Sequence, residues 1–373
     1  MLDLIDFIQT EATKLGLYPV GITPPKIPTN YSNFLRWISQ KYYGEMDYLV
    51  RGDAIAKRQD PKMLFPECKS CVLVGFIYSL QRPIGITTQK LGEGLIASYA
   101  RGVDYHIEIT HRLRQLHEQM EKRLKSSIGR ILFCDSSPIM EKSIAQSAGL
   151  GWIGRNSLVI SPEFGSSFNI GGLLLDIAIK PSIPFQQDLC EDCQKCIEAC
   201  PTGCIQPDRT LIANRCISYL TIEHSGIIPA EIRPSIGSWI FGCDVCQLVC
   251  PYNQTSNSQL QASTLVNRID LINILSLTKT DFKKYYQHTP IQRIGLNQLL
   301  RNCIIAAGNQ QLTPAIPLLA YHLANNQDHL IRGVAAWALG KMRTIKGKEL
   351  LKDHQNNEND SSVLDEIRSA LQM

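Results

Sequence analysis

Apolar residues recur at helical spacing from Leu2 to Leu15, which predicts an amphipathic N-terminal helix. Cys71-Val72-Leu73-Val74-Gly75-Phe76 is a continuous apolar run of strand length and predicts a buried strand. Tyr105 to Leu124 returns to helical spacing, with Arg and His on the polar face. Ile131-Leu132-Phe133-Cys134 is a short apolar strand ending at Asp135. Ser137 then offers a helix cap, Pro138 suits a first helical turn, and Gly149 suits a left-handed stop, so a helix is expected from about Ser137 to Gly149. Asp135 therefore falls at a strand-to-helix junction, a position where α/β proteins bind ligands.

The pattern changes after Pro181. Residues 183–255 are short segments punctuated by Cys and Pro, and from about 262 onward the chain reads as helical. Leu300-Arg301-Asn302-Cys303-Ile304-Ile305-Ala306-Ala307-Gly308 and Ile331-Arg332-Gly333-Val334-Ala335-Ala336-Trp337-Ala338-Leu339-Gly340 are loosely alike, about 31 residues apart. Between them lie an expected helix from Pro314 to Ala324 and a turn at Asn325-Asn326-Gln327-Asp328. This arrangement suggests HEAT-like helical hairpins, with a plain helical bundle as the alternative. Three domains are expected: a mixed α/β domain over 1–182, a small cysteine-rich module over 183–255 and a helical domain over 262–373.

Composition narrows the class. The chain has 373 residues, 44% apolar and 19% charged, enough for several domains with cores. The first residues are acidic where a secretory signal needs basic ones, and no apolar run reaches the roughly 18 residues of a membrane span. A cytoplasmic protein is expected, and in that reducing compartment thirteen cysteines read as metal ligands and free thiols. From Asp281 to Lys352 ten Lys/Arg oppose three acids, a net charge of +7. Such a block attracts a polyanion, although a solvated helical surface has the same composition.

Cysteine spacing carries the chemistry. Cys190-x2-Cys193-x2-Cys196-x3-Cys200-Pro201 is the run by which bacterial-type ferredoxins bind a cubane with three cysteines and lend the fourth to its neighbour. Cys243-x2-Cys246-x3-Cys250-Pro251 is a second, shorter run, and Cys216 completes eight ligands. The expected partition is Cys190, Cys193, Cys196 and Cys250 on one [4Fe–4S] cluster, and Cys200, Cys216, Cys243 and Cys246 on the other. Four-cysteine zinc is the alternative, though the triple run suits paired zinc sites poorly. Cys68, Cys71, Cys134, Cys204 and Cys303 are expected to be core thiols. The large flanks argue for an enzyme with an internal electron acceptor, and no Gly-rich nucleotide fingerprint follows a strand.

Several words now converge: Lys57-Arg58-Gln59-Asp60-Pro61, Tyr99-Ala100-Arg101-Gly102-Val103-Asp104-Tyr105-His106, Ala148-Gly149-Leu150-Gly151-Trp152-Ile153-Gly154-Arg155-Asn156-Ser157, both cysteine runs with Gly242-Cys243-Asp244-Val245-Cys246-Gln247, and Leu300-Arg301-Asn302. In these, over nearly its whole length, the chain resembles the epoxyqueuosine reductases, cobalamin-dependent iron–sulfur enzymes that finish queuosine in the tRNA anticodon. The resemblance implies an α+β fold: a nitroreductase/reductive-dehalogenase-like cobalamin domain, a ferredoxin-like two-cluster insert and a HEAT-like tail that helps to hold tRNA.

It further implies base-off cobalamin, with Asp135 as the proton donor. Carried-over cofactor contacts are Arg58, Ser98, Tyr99, Asp135, Asn156, Ser157, Val159, Ile170, Ser218 and Tyr219. Asp104-Tyr105-His106 begins the common base-off word D-x-H-x-x-G, but Ile109 stands in place of its glycine. The substrate would be tRNA carrying epoxyqueuosine, with Arg293, Arg301, Arg332, Lys341 and Arg343 as phosphate contacts. An external donor such as a flavodoxin or ferredoxin would supply electrons to a monomeric enzyme that does not bind a membrane. The rival reading is a reductive-dehalogenase-like cobalamin enzyme acting on a small substrate.

Overall fold

The computed structural model describes residues 3–80, 90–253 and 268–373. Leu2, expected to open the first helix, and the expected domain limits at 255 and 262 lie outside the described residues. By packing, the described chain forms two compact units: 3–80 with 103–214 and 245–253, and 90–102 with 215–244 and 268–373.

The first unit is built on an antiparallel sheet in the order Val20–Thr23, Ser70–Ile77, Phe168–Leu175, Arg130–Cys134. The apolar run at Cys71 occupies a central position, and Cys71, Val72, Leu73 and Val74 are fully buried. A strand covered on both faces has no polar side to alternate, which is why the run is continuous. Cys68 and Cys71 belong to this core, with Phe133, Ile144 and Leu174. The N-terminal helix runs over Leu4–Lys14.

The helix Tyr105–Leu124 matches its expected limits. It buries Ile109, Leu113, Leu116 and Met120, a single stripe at helical spacing, and stops where Lys125 takes a left-handed conformation. Gly171 in the adjoining strand leaves room for it: a Cβ there would lie 2.4 Å from Ile109 Cγ2. Asp104 caps this helix by accepting the His106 N–H at 3.0 Å.

The helix expected from Ser137 begins instead at Glu141 and ends at Ser147. Ser136 N–H donates to the Cys134 carbonyl at 2.5 Å and Ile139 N–H to the Ser137 carbonyl at 2.8 Å, so the segment turns tightly before any helical ladder starts. Ile139 drops into the core, 6% exposed, and burial of that side chain outweighs the early start that Ser137 and Pro138 permit. Gly149 stops the chain as expected, at φ 88°.

The second unit contains a small sheet in which Glu93–Ile96 pairs in parallel with Trp239–Phe241 and antiparallel with Arg268–Asp270. Both repeated words fall within helices, Gly295–Asn309 and His329–Lys341. The helix expected from Pro314 spans Ile316–Asn325 behind a single 3₁₀ turn, and two more helices, Ile345–Gln355 and Ser361–Leu371, complete the chain. Arg233, wholly buried here, grips both carboxylate oxygens of Glu366 and sits 5.3 Å above the Trp337 ring.

Candidate active site and cluster cavity

Asp135 ends the Arg130–Cys134 strand in a left-handed conformation, φ 58°, which Asp tolerates better than most residues. This conformation lets its carboxylate meet the start of the helix that begins at Tyr105. Tyr105 donates its hydroxyl to Asp135 Oδ2 at 2.8 Å, and His106 Nε2 lies 3.5 Å from the same oxygen. The other ring nitrogen of His106 is 2.7 Å from Asp104 Oδ1. Two carboxylates thus bracket one imidazole, and they push the His106 pKa up to about 9, Asp104 contributing most. His106 is therefore an imidazolium at neutral pH. The side chains of Asp135 and His106 are 49% and 30% exposed, so protons can enter from solvent.

Asp135 lines a cavity of about 540 Å³ together with Phe34, Trp37, Arg58, Glu141 and Ser157. Arg58 is 8% exposed, its guanidinium 5.9 Å from the Phe34 ring centroid, and burial lowers its pKa. Glu141 is pushed up to about 8, first by desolvation and then by the Asp135 charge, so its carboxyl is largely neutral at pH 7. Its Oε2 is buried without a protein partner. Beside them, burial holds the Cys134 thiol well above its ordinary pKa, which keeps it protonated. An aromatic wall facing a guanidinium, a carboxylate and an unpartnered buried oxygen suits a bulky, partly apolar ligand rich in amides, and in that respect fits cobalamin.

A second cavity, about 350 Å³, is lined by Cys190, Cys193, Cys196 and Cys250, the four cysteines assigned to one cluster by spacing. Trp152 donates its indole N–H to Cys190 Sγ at 3.3 Å, and its ring packs against Phe185 and Tyr252. Asn253 ties down the turn after Cys250 through Gln247 and Ser166. Asn156 lines the same cavity, 2% exposed, with its amide nitrogen unpartnered. Burial and the neighbouring thiols push Cys196 up to about 11. Among the described residues no three His, Cys, Asp or Glu converge on a point that would hold a single metal ion. The four thiols surround a volume instead, and N–H donors face it, which fits a cubane.

The other expected residues are spread between the units. Cys200 and Cys246 belong to the first, Cys216 and Cys243 to the second. Val159 is buried and Ile170 half-buried in strands of the first unit. Ser157, at φ 60°, donates its hydroxyl to the Arg209 carbonyl. In the second unit Ser98 N–H donates to Asp244 Oδ2 at 2.7 Å, Tyr99 is half-buried 6.4 Å from Phe241, Tyr219 is 6% exposed, and Ser218 is half-buried.

Two of the expected phosphate contacts are corrected. Arg301 is 1% exposed and donates to the carbonyls of Leu220, His224 and Gly226 at 2.7–2.8 Å and to the Asn302 side chain, so it organises the backbone of its own unit. Arg332 forms a two-pronged pair with Glu358 at 2.7 and 3.0 Å, and the partnership lowers the Glu358 pKa to about 2. Arg301 is consumed by packing, and Arg332 by its ion pair and the Asn326 carbonyl. Arg293 is paired with Glu223 at 2.6 Å but half exposed, Lys341 is half-buried and Arg343 exposed. Arg301→Ala leaves several buried carbonyls unpaired and should cost about 3 kcal/mol or more of stability. Thermal unfolding will read this as a lower midpoint, with no change in the salt slope of RNA binding in the folded fraction.

Spacing did not single out Tyr105, His106 and Asp104 as partners of Asp135. The available signal was an Asp-x-His at a helix start, with the Asp as N-cap. Glu141 gave no signal, because its neighbours are set by the turn that delays its helix.

Residues 189–253 match a family described as a 4Fe-4S double cluster binding domain, and residues 58–136 match the family epoxyqueuosine reductase QueG. The epoxyqueuosine reductase of Francisella cf. novicida is 37% identical over 329 residues, 83% of this chain and 88% of that one. Those of Vibrio cholerae and Escherichia coli K12 are 36% and 35% identical over 90% of this chain, covering 91% and 88% of theirs. A crystal structure of an epoxyqueuosine reductase with an epoxyqueuosine-modified tRNA-Tyr stem loop superposes with a TM-score of 0.90 at 27% identity, over 99% of this chain and 98% of that one. A Bacillus subtilis epoxyqueuosine reductase whose catalytic Asp loop is swung out of the active site matches equally well, with a TM-score of 0.90. On identity, coverage and fold together, the chain belongs to the epoxyqueuosine reductase family.

Proposed function

We propose that this chain reduces epoxyqueuosine to queuosine in the tRNA anticodon loop, with cobalamin and two [4Fe–4S] clusters. The observation that carries the reading is the Asp135 carboxylate, held by Tyr105 and His106 at a cavity of about 540 Å³ that Arg58 and an aromatic wall also line. Turning an epoxide into an alkene consumes two electrons and two protons and releases the oxygen as water. Cobalamin, when bound, supplies the low-potential cobalt chemistry at the epoxide carbon, and the clusters supply the electrons.

The protein supplies protons and orientation. His106 passes its Nε2 proton through Asp135 to the epoxide oxygen as the ring opens, and Tyr105 keeps the carboxylate aimed. His106 then takes a proton from solvent and relays it by the same route, so that the oxygen can leave as water. Arg58, Asn156, Ser157, Val159 and Ile170, with Ser98, Tyr99, Ser218 and Tyr219, would hold the cofactor. Cys200, Cys216, Cys243 and Cys246 would bind the second cluster.

Arg293, Lys341 and Arg343 are the remaining candidates for anticodon-loop phosphates. We also infer a reductive-dehalogenase-like cobalamin domain over 1–182, a ferredoxin-like insert over 183–255 and a HEAT-like tail from 262. We further infer a cytoplasmic monomer reduced by a flavodoxin or ferredoxin. Among the described residues no helix is long and apolar enough to cross a membrane.

A strain lacking the gene should accumulate epoxyqueuosine in its tRNA, and re-expression should restore queuosine. Unaltered tRNA in that strain would favour the small-substrate reading.

The relay has a pH signature. With His106 titrating near 9, single-turnover reduction should hold to about pH 9 and fall above it, and His106→Gln should be slower and lack that limb. The same pair is linked to stability. Because folding raises the His106 pKa from 6.5, its contribution is complete below about 6.5 and is lost as pH rises through about 9.

A further inference from the structure

Trp152 opens the short strand Trp152–Ile153, pairs with Ile160 and is 1% exposed. From that seat its indole N–H reaches Cys190 Sγ at 3.3 Å, and Cys190 itself lines the cysteine cavity. The ring is held on two sides: Phe185 stacks on it with centroids 5.6 Å apart, and Tyr252 meets it edge-on at 4.7 Å. Tyr252 follows Cys250-Pro251 and donates its hydroxyl to the carbonyl of Leu189, the residue before Cys190. One aromatic group thus joins both cysteine runs and fixes a donor on a ligand sulfur. A buried indole N–H needs an acceptor. A thiol sulfur is a weak one, and becomes a strong one as an iron-bound thiolate.

We propose that Trp152 sets the reduction potential of the cluster held by Cys190, Cys193, Cys196 and Cys250, raising it so that the external donor can load it. The inference rests on the reading of these four cysteines as ligands of a [4Fe–4S] cluster. Loading is a one-electron step: a flavodoxin or ferredoxin is oxidised by one electron and the cluster is reduced by it, with no bond to the protein made or broken. The added charge spreads over the thiolate and sulfide sulfurs. An N–H aimed at one of them binds the reduced cluster more tightly than the oxidised one, and that difference is a rise in potential. Because the indole is out of water, solvent does not screen the bond.

The test is a redox titration, read by electron paramagnetic resonance, of the anaerobically reconstituted parent and Trp152→Phe, with iron counted in both. Phenylalanine keeps an aromatic ring in the core and removes the N–H. At fixed potential the reduced-to-oxidised ratio of one cluster should fall about tenfold, a midpoint lower by about 59 mV, while the other stays within about twofold. The same factor should appear in the ratio that a reduced flavodoxin establishes. A fall of less than about threefold in a variant with full iron would overturn the proposal, and so would an equal fall in both clusters. If Trp152→Phe assembles no cluster, the parent decides. With isotope-labelled indole nitrogen, its reduced cluster should show a coupled nitrogen and an exchangeable proton in electron–nuclear double resonance, and their absence would overturn the proposal. Iron well below about eight atoms per chain in the parent removes the two-cluster reading and the proposal with it, whereas full iron with an unmoved potential removes the proposal alone.

Discussion

Asp135→Asn should lower the rate of epoxyqueuosine reduction by about 100- to 10,000-fold, the range lost with a general acid. Asparagine keeps the size and the acceptor oxygen but has no proton to give. The left-handed conformation of the turn should survive, because Asn tolerates positive φ as Asp does. Iron and cobalamin content should match the parent, because the substitution touches neither the cysteines nor the aromatic wall of the cavity. His106 would lose one of its two carboxylates, so its pKa should fall toward the ordinary imidazole value, an independent NMR readout. Normal turnover in a variant with full cofactor content would remove Asp135 from the mechanism.

The second large effect concerns the cysteines. Cys250→Ala should leave the other cluster in place and reduce iron from about eight to about four atoms per chain, with tRNA reduction abolished. Cys250 is the informative position because it comes from the second run yet lines the same cavity as Cys190, Cys193 and Cys196. If each run held its own cluster, the half retained would be the one bound by 190–200. With crossed ligation, the cluster kept is the one that uses Cys200. Retention of all iron in this variant would break the proposed partition. Loss of both clusters would mean that neither assembles alone, and the paired variant Cys190→Ala would then show the same result.

Much of this was legible before any fold. The cysteine runs were readable because cluster ligands sit at short, fixed separations, so that a local pattern specifies a site. The buried strand at Cys71 and the helix Tyr105–Leu124 were readable for a related reason, since burial on one face imprints a period on the sequence. The start of the helix at Glu141 was misread because capping signals at Ser137 and Pro138 are weak local preferences, while Ile139 found a place in the core. Arg301 was misread because charge is visible in sequence and burial is not. Its partners lie some 75 to 81 positions away at Leu220, His224 and Gly226. The small sheet that joins Glu93–Ile96 to Trp239–Phe241 leaves no local signal for the same reason.

By itself, then, the sequence determined the cluster chemistry, the main helical and strand stripes, and Asp135 as a residue at a strand end. Only the tertiary structure decided that Asp135 meets Tyr105 and His106 across about 30 positions of chain, that Glu141 lines the same cavity, that Arg301 is buried among backbone carbonyls and that Arg332 is taken up by Glu358. The division follows from range. Periodicity and ligand spacing act over a few residues, whereas the partners of a buried or reactive group are set by which distant segments pack together to exclude water.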